Sequence, residues 1–180
     1  MTQIRIHGRG GQGVVTAAEL IAIAAFEDGK YAQAFPSFGV ERTGAPIEAY
    51  ARISNKFIRT KQHIYVPDIL IIQDPSLINS SVDITKGCNK NTIIILNTSK
   101  KFEAYKSLAF NYKFYVIDAT KIALDVIGKN IVNTVMLGAF IKITNLISLT
   151  ALKTGIKQKF YKKGSKIITK NIQAIEKAFS

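Results

Sequence analysis

Apolar positions along the chain change their period repeatedly. Short, nearly continuous apolar runs alternate with stretches whose apolar residues recur every three to four positions, as in a chain that alternates strand and helix. Residues 3–7 predict a first strand, and TAAELIAIAAFED (16–28) predicts a helix that stops at Gly29. Tyr31 to Phe35 predicts a second strand closed by Pro36, and the alternation in IEAYARI (47–53) predicts a half-buried third. Residues 68–74 and 92–97 are unbroken apolar runs that end in polar residues, the pattern of strands buried on both faces of a parallel sheet; Phe114 to Asp118 repeats it. Helical stretches are predicted around 75–82, 102–109, 119–128 and 133–148. Two short amphipathic helices follow, roughly 150–161 and 165–179, split at Lys163-Gly164. Leu149, Leu152, Ile156 and Phe160 would line one buried face, and Ile168, Ile172, Ile175 and Phe179 the other. The expected fold is α/β, with a mainly parallel, Rossmann-like sheet, flanking helices and a C-terminal helical tail. Residues 1–149 would form the α/β domain and 150–180 a helical extension packed on it.

At 180 residues, 47% of them hydrophobic, the chain is long enough to bury a real core. The most apolar later stretch, 131–149, is interrupted by Asn133, Lys142 and Asn145, so it reads as a core helix and not as a membrane span. No basic, then apolar, then small-residue leader opens the sequence, and the expected location is the cytoplasm, away from membranes. Cys88 is the single cysteine, which excludes a disulfide within the chain. With His7 and His63 far apart in sequence, neither a zinc site of the usual type nor an iron–sulfur cluster held by this chain alone is in reach.

The net charge of +13 is unevenly placed. Through residue 80 eight Lys and Arg face seven Asp and Glu; the remaining hundred residues carry seventeen against five. All five arginines (Arg5, Arg9, Arg42, Arg52 and Arg59) fall in the first part, and every cationic position after Lys61 is lysine. The lysines are scattered, without arginine-aromatic interleaving or a nucleic-acid reader motif, so nucleic acid is not an expected partner. They are read as solvated surface or compositional bias.

Candidate chemistry concentrates in HGRGGQGVV, residues 7–15, where Gly8, Gly10 and Gly13 fall on G-x-G-x-x-G between the first strand and the first helix. Such a junction gathers free backbone N–H groups and the positive end of the helix dipole at one point, which suits a phosphate. The same glycines also serve a close helix–strand packing, and the pattern alone leaves both readings open. It is not a Walker loop, because Gly13 is followed by Val14-Val15. The kinase form is matched literally through Val15, but no catalytic-loop or Asp-Phe-Gly element follows. The ribose-binding carboxylate expected about twenty positions on for a nicotinamide dinucleotide is missing from AQAFPSF. A second unusual stretch, PSFGVERTGAP (36–46), sets Glu41-Arg42 between Gly39 and Gly44, with prolines at both ends. It reads either as a rigid loop that positions a ligand or a neighbouring subunit, or as a solvated turn whose charges pair. No catalytic set emerges: His7 reads as structural, and Asp68, Asp74 and Asp118 at strand ends read as caps.

IRIHGRGGQGVVTAAELIA, FPSFGVERTGAPIEAYARI, PDILIIQDPSL, TIIILNTS and NTVMLGAFIK together resemble the gamma subunit of 2-oxoacid:ferredoxin oxidoreductases, from residue 3 to about 148, and the two-helix tail also fits. The SFGVERTGAP version is similar to the pyruvate branch, which can share this subunit type with the branched-chain oxoacid enzyme. The resemblance implies a complex that oxidatively decarboxylates pyruvate with coenzyme A to acetyl-CoA, CO2 and reduced ferredoxin. Thiamine diphosphate, Mg2+ and the iron–sulfur clusters would sit on alpha, beta and ferredoxin-like delta subunits, with ferredoxin as acceptor and this chain inactive alone. Carried over residue by residue, it makes Gly8, Arg9, Gly10, Gly11, Gln12 and Gly13 candidates for the coenzyme A phosphates. Glu41, Arg42, Thr43 and Gly44 become candidates for the edge of the catalytic cleft or a subunit contact. The alternatives are a freestanding nucleotide-binding regulatory module or the gamma subunit of the branched-chain 2-oxoacid enzyme.

Overall fold

The computed structural model describes residues 1–37, 44–80 and 82–180. Six strands form one mixed sheet: β1 (Thr2–Arg9), β2 (Tyr31–Pro36), β3 (Pro46–Ser54), β4 (Ile69–Ile72), β5 (Ile93–Asn97) and β6 (Lys113–Ile117), in the order β2-β3-β1-β4-β5-β6. β1, β4, β5 and β6 run parallel, whereas β3 is antiparallel to both β1 and β2. The parallel expectation therefore describes one side of the sheet, and the other side is an antiparallel hairpin joined to it through β1. β3 is also not half-buried. Ala49 through Ile53 are all buried, because residues 57–65 fold over the face that alternation leaves polar. There Arg52 donates to the Gln62 carbonyl, and the His63 ring lies 5.1 Å from that of Tyr50.

Helix α1 (Val14–Glu27) crosses the face carrying Ile4, Ile6, Ala49, Ala51 and Ile71. Its buried Ala17, Ala18, Ala24 and Ala25 let it lie close to the strands. It ends where predicted, with Gly29 at φ 72° reversing the chain. On the same face are α3 (Ala119–Val126) and α4 (Asn133–Thr144), the latter buried from Asn133 to Ile141 and ended by Asn145 in a left-handed conformation, short of the predicted 148. α5 (Leu149–Lys159) packs on α1, and α6 (Ser165–Phe179) packs on α4 and α3. Leu152, Ile156, Phe160 and Ile175 are buried in the same core as the sheet. Gly138 is required at the α4–α6 crossing, since a Cβ there would meet the Ile175 carbonyl oxygen at 2.5 Å.

The opposite face is covered more thinly. The predicted helices at 75–82 and 102–109 are a 3-10 helix, Pro75–Asn79, and a 3-10 turn, Phe102–Tyr105, running into the one-turn helix α2 (Lys106–Ala109). Ser80 and the polar residues beyond it favour turns over helix continuation, and a small second cluster around Leu70, Ile72, Leu77, Ile94 and Phe114 fills the space beneath. Among the described residues no helix is long and apolar enough to cross a membrane.

Candidate functional site

The C-terminal ends of the four parallel strands share one edge of the sheet. β1 lies at the switch point of the topology. After it the chain goes through α1 to β2 and β3 on one side, then crosses to β4 on the other. Ligands of open α/β sheets bind outside the strand ends at such a point, and the glycine loop occupies it.

The loop's own bonds divide its residues by role. Gly8 is still inside β1, opposite Ile47, and a Cβ on it would lie 2.5 Å from Val14 Cγ2. Its glycine serves close strand–helix packing. The Gly10 amide donates to the Ala45 carbonyl at 2.9 Å, and the Gly44 amide returns a bond to the Gly10 carbonyl at 3.2 Å. The Gln12 amide donates to the Arg9 carbonyl, while its side chain accepts from the Arg9 amide at 2.8 Å and donates to Asp74 at 2.9 Å. Gly11 and Gly13 have φ of 93° and 72°, a region in which a side chain is strained. At Gly13 an added Cβ would run into the Asn133 amide, whereas at Gly11 it would meet open space. The amides of Gly11, Gly13 and the first turn of α1 (Val14, Val15, Thr16) have no acceptor among the described residues. Of the six predicted loop residues, then, the backbone donors free to meet an anion are those of Gly11 and Gly13, joined by the helix's own first turn.

Arg9 does not extend freely towards solvent. Its guanidinium donates to the Ser76 hydroxyl at 2.7 and 3.2 Å and to the Gly44 carbonyl at 2.9 Å, and it lies 3.4 Å from the Asp74 carboxylate. Burial alone would raise the Asp74 carboxyl, but hydrogen bonds from Ser76 and Gln12 and the Arg9 charge hold it below its ordinary value. Arg9 thereby ties three segments together: the glycine loop, the start of the 3-10 helix and the end of the second predicted loop. Gly44 of that second loop is joined to the glycine loop directly; Glu41, Arg42 and Thr43 lie outside the described residues. Asp74 and Asp118 do cap, accepting from the Ser76 and Lys121 amides, while Asp68 accepts from the Gln3 amide across the sheet.

Beneath the loop lies a buried polar group. His7 Nε2 is 3.6 Å from a Glu48 oxygen, yet burial and the nearby Arg5 charge outweigh that carboxylate and lower the imidazole to about 4. His7 is therefore neutral at neutral pH and the contact is not an ion pair. Tyr50 donates to Glu48 and is pushed above its ordinary value by burial and that bond. His7 Nε2 and both amide atoms of Gln73 have no hydrogen-bond partner among the described residues, and Gln73 Oε1 lies 3.4 Å from where a Gly8 Cβ would be.

Gly11, Gln12, Gly13 and Thr16 form one wall of a cavity of about 440 Å3, closed by the α3–α4 connection and the N-terminal half of α6. Lys129, Lys163, Lys166 and Lys170 line it, though composition alone reads them as surface. Only the i, i+4 spacing of Lys166 and Lys170, which puts them on one face of a helix, hints at the grouping. A larger cavity, about 800 Å3, opens at the ends of β4, β5 and β6 and is lined by Asn97, Thr98, Asp118 and Thr120. Asn97 there spends its amide on the Gln73 carbonyl and on Thr120, fixing strand ends to one another. Among the described residues no group of three or more His, Cys, Asp or Glu could hold a metal ion.

Known proteins resemble this chain in sequence and fold. A family model described as pyruvate ferredoxin/flavodoxin oxidoreductase matches residues 3–180. The pyruvate synthase subunit PorC of Methanocaldococcus jannaschii is 49% identical over 180 residues, covering 100% of this chain and 96% of that one. The common gamma subunit of pyruvate/ketoisovalerate oxidoreductases from Thermococcus kodakarensis is 48% identical over 182 residues, covering 100% and 96%. Among solved structures, the pyruvate oxidoreductase subunit PORC of Thermotoga maritima superposes with a TM-score of 0.84 at 36% identity, covering 99% of this chain and 94% of that one. The chain belongs to the pyruvate ferredoxin/flavodoxin oxidoreductase family.

Proposed function

We propose that this chain is the gamma subunit of a pyruvate:ferredoxin oxidoreductase complex, and that its share of the work is to seat the phosphates of coenzyme A at the N-terminus of α1. The complex would oxidise and decarboxylate pyruvate, pass the electrons to ferredoxin and hand the acetyl group to coenzyme A. Relatedness along the whole chain to pyruvate synthase gamma subunits supports the first part. For the second, the observation that carries the reading is the set of amides of Gly11, Gly13, Val14, Val15 and Thr16, without acceptors among the described residues, in a segment that borders an open cavity. Such amides meet a phosphate with both hydrogen bonds and the helix dipole. The tied amides of Gly10 and Gln12 and the clamped Arg9 hold the loop in shape before a ligand arrives, which reduces the ordering cost of binding.

Thiamine diphosphate, Mg2+ and the iron–sulfur clusters are assigned to partner chains, the alpha, beta and delta subunits, because the donor set here does not fit them. The chain has one cysteine, and burial pushes its thiol up, away from the thiolate form that ligates iron. Glu41, Arg42 and Thr43 belong in this reading to the cleft edge or a subunit contact, next to Gly44.

The test is steady-state kinetics of the assembled complex carrying Gly11→Val, a change that adds bulk and strain where the structure leaves space. The KM for coenzyme A should rise about tenfold or more, with kcat at saturating coenzyme A within about twofold of the parent. An assembled Gly11→Val complex with an unchanged KM for coenzyme A would contradict the reading.

A further inference from the structure

Gln73 directly follows β4, and its backbone is held from both sides. Its amide donates to the His7 carbonyl at 2.8 Å, and its carbonyl accepts from the Asn97 side chain at 2.9 Å. The side chain is 1% exposed, yet neither of its amide atoms has a hydrogen-bond partner among the described residues. A primary amide carries two N–H donors and an acceptor into the interior, and leaving them unpaired there destabilises the chain. An apolar residue of the same length would fill the place without that cost, so the glutamine calls for a reason other than packing. Alternation along the strand puts Gln73 on the side of Ile71, the face that α1 covers. There the point that a Gly8 Cβ would occupy lies 3.4 Å from Gln73 Oε1 and 3.1 Å from Gln12 Oε1. The side-chain amides of Gln73 and Gln12 thus flank one spot beneath the glycine loop, left open because residue 8 is glycine. Gln12 Oε1 accepts from the Arg9 amide, and its Nε2 donates to Asp74. An amide oxygen has a second lone pair, which is free to accept one more bond. Turned about its last side-chain bond, a soft torsion, Gln73 presents Nε2 where its Oε1 now lies.

We propose that Gln73 is a positioning residue for the glycine loop: its buried amide takes up the Gln12 side chain when the loop closes on a phosphate, and so fixes the Gly11 and Gly13 amides in their bound geometry. The inference rests on the reading above for the identity of the ligand. Gln12 lies between the two glycines whose amides have no acceptor among the described residues. An anion that draws those two amides shifts the side chain carried between them, while Gln12's own amide stays on the Arg9 carbonyl. Gln73 does not line the cavity, so it acts through Gln12 and not by touching the ligand. A bond made only after closure favours the closed loop over the open one, and that difference appears as affinity for the ligand. Before closure the same amide is a burden on the fold.

The experiment pairs steady-state kinetics of the assembled complex carrying Gln73→Met, a side chain of similar length without the amide, with urea unfolding of the purified variant chain. The KM for coenzyme A should rise about fivefold, with kcat at saturating coenzyme A within about twofold of the parent. The urea midpoint should stay where it is or move up, because unpaired buried groups are gone. A residue that only filled the core would leave the KM unmoved. Gln12→Ala should raise the same KM, and adding Gln73→Met to it should raise it no further, since the one acts through the other. An unchanged KM in Gln73→Met, a lowered urea midpoint, or losses that multiply in the double variant would overturn the proposal. The glycine-loop reading fails separately: an unaltered KM in Gly11→Val removes the loop itself, whereas a raised KM in Gly11→Val beside an unaltered one in Gln73→Met removes Gln73 alone.

Discussion

The first part of the chain and the last hundred residues carry the same sign of charge and use it in opposite ways. Arg5 and Arg52 are 6% and 1% exposed. Neither has a carboxylate partner among the described residues. Arg5 donates to the carbonyls of Ile64, Ile84 and Lys86, gathering two segments that have no regular structure of their own. Arg52 does the same for Gln62 and lies 5.1 Å over the Phe35 ring. A guanidinium is suited to this because its several donors form a rigid planar fork and its hydration is weak. The later cations are all lysines; among the described residues Lys153, Lys159 and Lys177 pair with carboxylates, and Lys129, Lys163, Lys166 and Lys170 line the cavity beside the glycine loop. Arginine here organises the scaffold around the glycine loop, and lysine shapes the field in front of it.

The comparison breaks most visibly at Arg5. Replacing it by Met leaves three carbonyls without a donor, all of them at least partly buried, and should cost about 3 kcal/mol in urea unfolding of the purified chain. A loss within about 0.5 kcal/mol, the range of ordinary surface changes, would mean that the Ile64 and Ile84 segments are held by their apolar contacts alone.

Next in size is a pH effect from His7. Its folded value of about 4 lies below the ordinary 6.5, so the unfolded chain binds the extra proton first as the pH falls. Stability from this site is intact above pH 6.5 and is lost as the pH drops towards 4. The shift corresponds to roughly 3 kcal/mol, an upper figure for an internal site that can relax. Denaturant unfolding across that window should show the parent losing stability relative to His7→Asn; parallel curves would remove His7 as the cause. At the small end stands Gln73→Met, which should leave stability unchanged or slightly higher while it alters coenzyme A kinetics.

Much of the scaffold was legible because period and length carry it. The apolar runs at 69–72 and 93–97 are strands buried on both faces, and Gly29 ends α1 with a positive φ. Alternation could not show that β3 is covered on its second face, because the covering segment, residues 57–65, has no period of its own. Nor could it place β3 antiparallel between β2 and β1, a matter of pairing and not of local preference. In the candidate site, the glycine spacing marked the loop but not the division of labour within it. Gly8 and Gly13 answer to Val14 and Asn133, Gly10 to Ala45, and only bonds between distant residues reveal which amides stay open. The lysine grouping was hidden for the same reason, since Lys129 and Lys166 come to line one cavity through the packing of α6 on α3 and α4.

The central claim is that coenzyme A phosphate is received by the backbone amides that open from Gly11 into the first turn of α1. Hydrogen exchange of the assembled complex, with and without coenzyme A, measures those amides directly. The account predicts that Gly11 and residues 13–16 exchange more slowly when coenzyme A is bound, while the already bonded Gly10 and Gln12 amides change little. Unaltered exchange across 11–16 in a complex saturated with coenzyme A would contradict it.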